Sequence, residues 1–266
     1  MIVLGCVFIL ITILVELIIV FSDSMNIKNM KHTIILLMFS SLLVGQDAII
    51  TDRPDQSESA SVINAGGIQI ETGFTINNSD LSNTLQLPST LFRLGLLPNL
   101  EIRVFNQIEY SPKLRPNLGF NNIELGAKLQ LFQKDNSQTA IAFLSHAVIP
   151  SASAAHKSPV GLINKLCISH ELNSSFNLGY NIGYSCFEDG EGHLTYSVVL
   201  GKGIIDAFSL YIEPYGEVSG ANTHTSNINM GFTYLYKKNI QFDYSFGSGL
   251  NHNFNFISAG CSIYIN

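Results

Sequence analysis

Charge is scarce in this sequence: Lys, Arg, Asp and Glu together make up 13% of its 266 residues, about half of what a soluble domain carries. Tryptophan is absent. Past residue 46 long apolar runs are missing too, since none approaches the ~20 residues that a membrane-spanning helix needs. Yet hydrophobic residues reach 46% and mean hydropathy is +0.26. A barrel strand turns apolar side chains to one face only, which keeps hydropathy modest while charge stays low. The net charge is −6 and the 14 Lys and Arg are scattered, which argues against a nucleic-acid partner. There is no CxxC and no Cys/His cluster with ligand spacing, so zinc is not supported and no metal or cofactor is expected. Of the four cysteines, Cys6 falls in a segment expected to be absent from the mature protein. Cys167, Cys186 and Cys261 remain, an odd number that speaks against a disulfide framework; they read as apolar filler.

Two apolar segments open the chain. Residues 2–22 are apolar except for Glu16, and residues 33–45 form a second, shorter run. The second has the anatomy of a signal peptide: Met30 among Lys28, Lys31 and His32, then an apolar stretch of about a dozen residues, then Gly45-Gln46-Asp47-Ala48, where cleavage is expected. Residues 1–24 then read as an upstream over-extension of the reading frame or an anchor-like segment, 25–46 as the signal peptide, 47–66 as a polar N-terminal segment and 67–266 as the barrel. N-terminal sequencing of the mature protein tests this division: the first residue should fall after position 40, and an earlier one rejects it.

From residue 67 the chain repeats about ten residues of alternating polarity followed by a turn. Successive strand side chains face opposite sides, so alternation reports two environments. Phe176, Leu178, Tyr180, Ile182, Tyr184 and Cys186 share one face, and Asn177, Gly179, Asn181, Gly183 and Ser185 the other. Ile123 to Leu131, Leu194 to Leu200, Ile228 to Tyr236 and Ile240 to Phe246 repeat the pattern. Around Thr139–Ile149 the phase cannot be assigned. Glu71, Arg93, Glu101, Arg103, Glu109, Glu124, Lys128, Lys165, Glu171, Glu213, Glu217 and Asp243 lie on polar faces otherwise rich in Gly, Ser and Asn. Aromatic residues stand on the apolar face near strand ends (Phe74, Tyr110, Tyr184, Tyr236), as in the girdles of membrane barrels. Lipid leaves no backbone edge unpaired, so such a sheet must close.

The segments are 67–76, 87–97, 99–110, 119–133, 138–149, 160–172, 174–187, 191–201, 206–218, 224–237, 239–248 and 253–265. They predict an all-β, antiparallel up-and-down transmembrane barrel of about twelve strands, with ten to fourteen as the range. Turns at Leu97-Pro98-Asn99, Lys134–Ser137, Asn173-Ser174 and Lys237–Asn239 are short, whereas 77–86, 111–118, 151–159 and 219–224 read as long loops. Long loops are expected outside and short turns in the periplasm of a bacterial outer membrane.

Ile50-Thr51-Asp52-Arg53-Pro54-Asp55-Gln56-Ser57-Glu58-Ser59-Ala60, followed by Gly67-Ile68-Gln69-Ile70-Glu71-Thr72-Gly73-Phe74, resembles the opening of the outer-membrane family named after the MetA-like component of phenol degradation. Only this opening is specific; the rest of the chain shares length and strand rhythm. The resemblance implies an outer-membrane barrel tied to uptake of small, often hydrophobic compounds, and supplies no binding residues. Outer-membrane barrels typically end in an aromatic residue; here Asn266 is last and Tyr264 falls on the opposite face from Ile263 and Ile265.

The stretch Asp52 to Glu58 is too polar for lipid. One reading folds it into the lumen, where Asp52, Arg53, Asp55 and Glu58 pair with Arg93, Arg103 or Lys128; the other docks it beneath the barrel. Together with Glu71, Glu101, Glu124, Lys165, Glu213 and Asp243 these residues are the candidate lumen or constriction. Such charges either select permeants or fill a narrow lumen with a structural salt-bridge network. His146, His170 and His193 raise a membrane-embedded lipid-modifying enzyme, but no GxSxG elbow accompanies them, and no catalytic residue is assigned. Gly201-Lys202-Gly203 and Gly247-Ser248-Gly249 read as turn glycines, not phosphate loops. The leading expectation is a porin-like, non-enzymatic transporter for passive or facilitated passage of small solutes, hydrophobic ones among them. Its partners would be outer-membrane lipid, the permeant and, during biogenesis, the barrel-assembly machinery. An occluded structural or binding barrel is the alternative.

Overall fold

The computed structural model describes residues 48–266 apart from 55, 81–82, 114–116, 122, 135–136, 151–158, 189, 191 and 221–222. The readings of residues 1–47 and of Asp55 lie outside the described residues. The described strands are β1 (Ile68–Ser79), β2 (Asn83–Leu97), β3 (Leu100–Tyr110), β4 (Leu118–Phe120), β5 (Ile123–Gln133), β6 (Thr139–Ile149), β7 (Gly161–Asn173), β8 (Phe176–Phe187), β9 (Gly192–Ile205), β10 (Phe208–Ser219), β11 (Thr223–Lys237), β12 (Ile240–Gly249) and β13 (Phe254–Ile265). Each pairs antiparallel with its neighbour, and β1 pairs with both β2 and β13, which closes the sheet. β4 and β5 lie in line along one partner: β4 pairs with Ile108–Tyr110 of β3 and β5 with Leu100–Phe105. They occupy one wall position, so the described residues form a closed barrel of twelve strands, one of them split. At the split, the Asn121 N–H still donates to the Gln107 carbonyl at 2.7 Å, continuing the β4 register, and the register moves on by one residue before Phe105 meets Glu124.

One correction concerns the loops. Residues 77–86 and 219–224 were expected to be long loops, but the ladder runs to Asn78↔Asn83 and Ser219↔Thr223. These strand tips are polar on both faces, with Asn, Ser and Thr satisfying one another, as where Asn77 Nδ2 donates to Thr84 Oγ1 at 3.2 Å. Strand ends that project past the lipid need no apolar face, so polarity alone imitates a loop there. A second correction is that Gly201–Gly203 and Gly247–Gly249 sit within β9 and β12, not in turns. Gly247 lies under the Phe256 ring, where a Cβ has no room.

The alternation maps onto two solvents. Outward residues are apolar and uncovered, for example Ile182 (58% exposed), Leu131 (55%) and Tyr184 (53%). A surface belt of this kind on every strand far exceeds the apolar patches that water-soluble proteins leave open; it is a face for lipid. Inward residues are buried and polar: Gln69, Glu71, Arg93, Glu101, Arg103, Lys128, Glu213, Asn229, Ser245 and Ser262 are almost wholly enclosed. β6, whose phase the sequence leaves unassigned, turns Ala142, Leu144, His146 and Val148 inward and Phe143 and Ile149 outward. Both of its faces are largely apolar, so no polarity contrast marks them.

Candidate functional site

The turns β2–β3, β7–β8, β9–β10 and β11–β12 lie at one end, together with the start of β1 and the end of β13. Residues 48–66 enter the barrel from this short-turn end. Ile49 N–H donates to the Lys238 carbonyl in the β11–β12 turn at 2.7 Å, and Ile49 packs with Ile63 and the inward-facing Tyr264. The segment then follows the inner wall around the barrel. The backbone N–H groups of Asp52 and Arg53 both donate to Glu71 at 2.9 Å. Arg53 reaches Asp243 at 3.1 Å and Ser258 at 3.0 Å. Gln56 and Ser57 donate their N–H groups to Glu213 at 2.8 and 2.7 Å, and Ser57 Oγ is 2.7 Å from Ser197 Oγ. Asn181 pins Glu58 through both its N–H and its carbonyl, and Ser169 accepts from Ala60 N–H at 3.2 Å. Lys128, Gln130 and Arg93 then donate to the carbonyls of Ser59, Ala60 and Ser61. Ile63 N–H closes the circuit on Glu101 at 2.8 Å. Wall residues of β1, β2, β3, β5, β7, β8, β9, β10, β12 and β13 thus hold the segment by hydrogen bonds or ion pairs.

An ion cluster anchors this circuit. Asp52 Oδ2 lies 3.2 Å from Arg93, 2.7 Å from Arg103 and 2.8 Å from Lys128. Arg93 also holds Glu71 at 3.0 Å and Glu101 at 2.9 Å. Arg103 holds Glu58 at 2.7 Å and Glu101 at 2.8 Å. Buried charges persist only when paired and hydrogen-bonded, and here three cations meet four carboxylates. Arg103 Nε donates to His146 Nε2 at 3.1 Å. A guanidinium has no acceptor, so the ring accepts at Nε2 and its Nδ1 faces Glu124 at 2.8 Å. Burial alone would raise the Asp52 carboxyl, but Arg93, Lys128 and Arg103 outweigh it and hold the group well below its ordinary value. A depressed carboxyl contributes stability that is fully present above its ordinary value of ~4 and is lost as pH falls through the lowered one. The contribution of Asp52 to docking should therefore be undiminished from pH 8 down to about 4, and the protection of Ser59 N–H, which donates to Asp52 at 2.8 Å, measured against its intrinsic exchange rate at each pH, should fall only below that.

Of the residues singled out from sequence, Asp52, Arg53, Glu58, Glu71, Arg93, Glu101, Arg103, Lys128, Glu213 and Asp243 meet along this circuit. Glu124 and Lys165 stand beside a cavity of 1020 Å³ that opens on the far side of the segment. Among the described residues Lys165 makes no ion pair. The pairing of Arg53 with Asp243, rather than the segment's acids alone with wall cations, was not anticipated. Nor were the neutral anchors Gln69, Ser169, Asn181, Ser197 and Asn229, although they share the strand phase of the charged residues. The paired glycines Gly73 and Gly260 were missed as well. The Arg53 guanidinium lies across both, where any Cβ would collide with it.

Two other histidines singled out from sequence lie outside the ion cluster. His170 faces outward between Thr139 and Tyr180. His193 faces inward near the long-loop rim, where Glu217 and Ser219 both approach its Nδ1, at 2.9 and 2.7 Å. A triad needs the nucleophile and the acid on opposite ring nitrogens.

A closed antiparallel barrel with a lipid-facing exterior and a polar, segment-lined lumen defines a transmembrane β-barrel of the porin-like fold. The chain belongs to the family described as "Putative MetA-pathway of phenol degradation", whose model matches residues 51–255. No curated protein matches it. Among solved structures, the fold is similar to an outer-membrane channel from Pseudomonas putida F1 (TM-score 0.58, 10% identity, 79% of this chain and 100% of that one). It is also similar to the NanC porin (0.55, 8% identity, 73% and 98%) and to the KdgM porin in complex with disordered oligogalacturonate (0.53, 10% identity, 73% and 98%). At these identities the likeness is one of fold.

Proposed function

We propose that the barrel lets small uncharged solutes cross the outer membrane, and that residues 48–66 form its constriction. The observation that carries this reading is the docked segment itself, which is anchored on ten strands around a lumen that stays hollow on one side. The cavity would serve as an outer vestibule and the ion cluster as its floor. The protein would work without catalysis, exported by a signal peptide within residues 25–46 and inserted by the barrel-assembly machinery. The density of anchors also supports an occluded, structural or binding barrel. Planar-bilayer recording separates the two. The transport reading expects small, discrete conductance steps that grow when Asp52→Asn loosens the floor. Silence from both the unaltered protein and the variant would favour the occluded barrel.

A further inference from the structure

Inside the barrel, β6 breaks the polar character of the lumen. Ala142 and Leu144 are buried to 0% and 1% exposure and pack with Cys167 of β7 and with Ala60 of the N-terminal segment. Ala140 extends this surface toward the short-turn end. In the other direction Leu144, set between Lys128 of β5 and Lys165 of β7, and Ile163, across from His146, line the vestibule. An apolar strip therefore runs from the vestibule past the segment. Around the rest of the wall the segment is tied by directional bonds, many to charged groups. Against β6 it sets one methyl group, flanked by two neutral contacts from Ala60, at 3.2 Å to Ser169 and 3.1 Å to Gln130.

We propose that this strip is the route by which an uncharged apolar solute passes the segment, sliding over β6 and displacing the Ala60 contact while the ionic attachments stay made. The inference rests on the transport reading above and adds the path and the residues that select for it. An apolar solute gains by leaving water for such a surface and meets no charged hydrogen bond it must break. Ions and water gain nothing there, and a narrow apolar seam excludes them by dewetting. The failed alternation over Thr139–Ile149 is then the sequence trace of a strand that is apolar toward lipid and toward permeant alike.

The test uses the full chain in cells, with labelled naphthalene as the apolar probe and an empty vector as baseline. Ala142→Phe, which fills the seam, should lower protein-dependent uptake at least ~10-fold while bilayer conductance to small ions changes little. Leu144→Asn keeps the shape but adds a polar end, and should lower uptake similarly; it decides the matter if Ala142→Phe does not fold. Uptake equal to that of the unaltered chain in a folded variant overturns the seam and leaves transport standing. If the unaltered chain itself shows neither uptake above the vector nor conductance, the transport reading falls, and the seam with it.

Discussion

Replacing Arg103 with methionine is expected to raise bilayer conductance several-fold, the largest change of any single wall substitution. Arg103 donates to Asp52 at 2.7 Å, Glu58 at 2.7 Å, Glu101 at 2.8 Å and His146 at 3.1 Å. Without it, Arg93 and Lys128 alone face Asp52, Glu58, Glu71 and Glu101. Losing one partner of a buried pair costs about 3–5 kcal/mol, which is a shift of roughly 150- to 5,000-fold between docked and released segment. The barrel need not share that penalty, because its strands are held by the closed backbone ladder, so the segment gives way first. Removing Asp52 instead leaves three cations against three carboxylates and should do less. Arg103→Lys should fall between, since an ammonium lacks the planar fork that serves several acceptors at once. Retained gel-shift behaviour of the folded barrel together with unchanged conductance would reject this account.

Glu213→Gln should loosen the segment nearly as much as Glu213→Ala, although it preserves size. Every partner of Glu213 is a donor: Gln56 N–H at 2.8 Å, Ser57 N–H at 2.7 Å, Ser57 Oγ at 2.7 Å and Asn229 Nδ2 at 3.0 Å. An ionised carboxylate accepts at both oxygens, two donors to each, whereas an amide would turn its NH₂ toward two of these donors. Each buried donor left without an acceptor costs about 1–3 kcal/mol, so two of them predict roughly 10²-fold or faster hydrogen exchange at Gln56 and Ser57. Exchange in Glu213→Gln that matches the unaltered chain, with only Glu213→Ala accelerated, would mean that bulk and not acceptance holds this turn.

Both expectations concern contacts that no local pattern records. The polar phase was legible: Glu71, Arg93, Glu101, Arg103, Lys128, Glu213 and Asp243 all occupy the alternating positions that turn into the lumen. The neutral anchors occupy the same phase, but Ser, Asn and Gly there are equally compatible with a water-filled wall. Gly73 and Gly260 look like ordinary barrel glycines until the closed sheet sets them side by side under Arg53. β6 was unreadable for the opposite reason, because two apolar environments produce no contrast. Tyr264, read only as falling on the opposite face from its neighbours, proves to close the lumen against Ile49 and Ile63.

Low charge, missing apolar runs and period-2 alternation were enough by themselves to set the class of fold, the lipid and lumen faces of strands other than β6, and a count of about twelve wall positions within a range of ten to fourteen. These follow from the geometry of one strand, in which each residue's side is fixed by its neighbours two places away. What the tertiary structure alone decided is the course of residues 48–66 and the partner of each charge. Arg53 meets Ser258 across 205 positions of chain, and that meeting exists only because β1 closes on β13. Scarcity of charge marked the barrel; closure determined where the few charges that remain are spent.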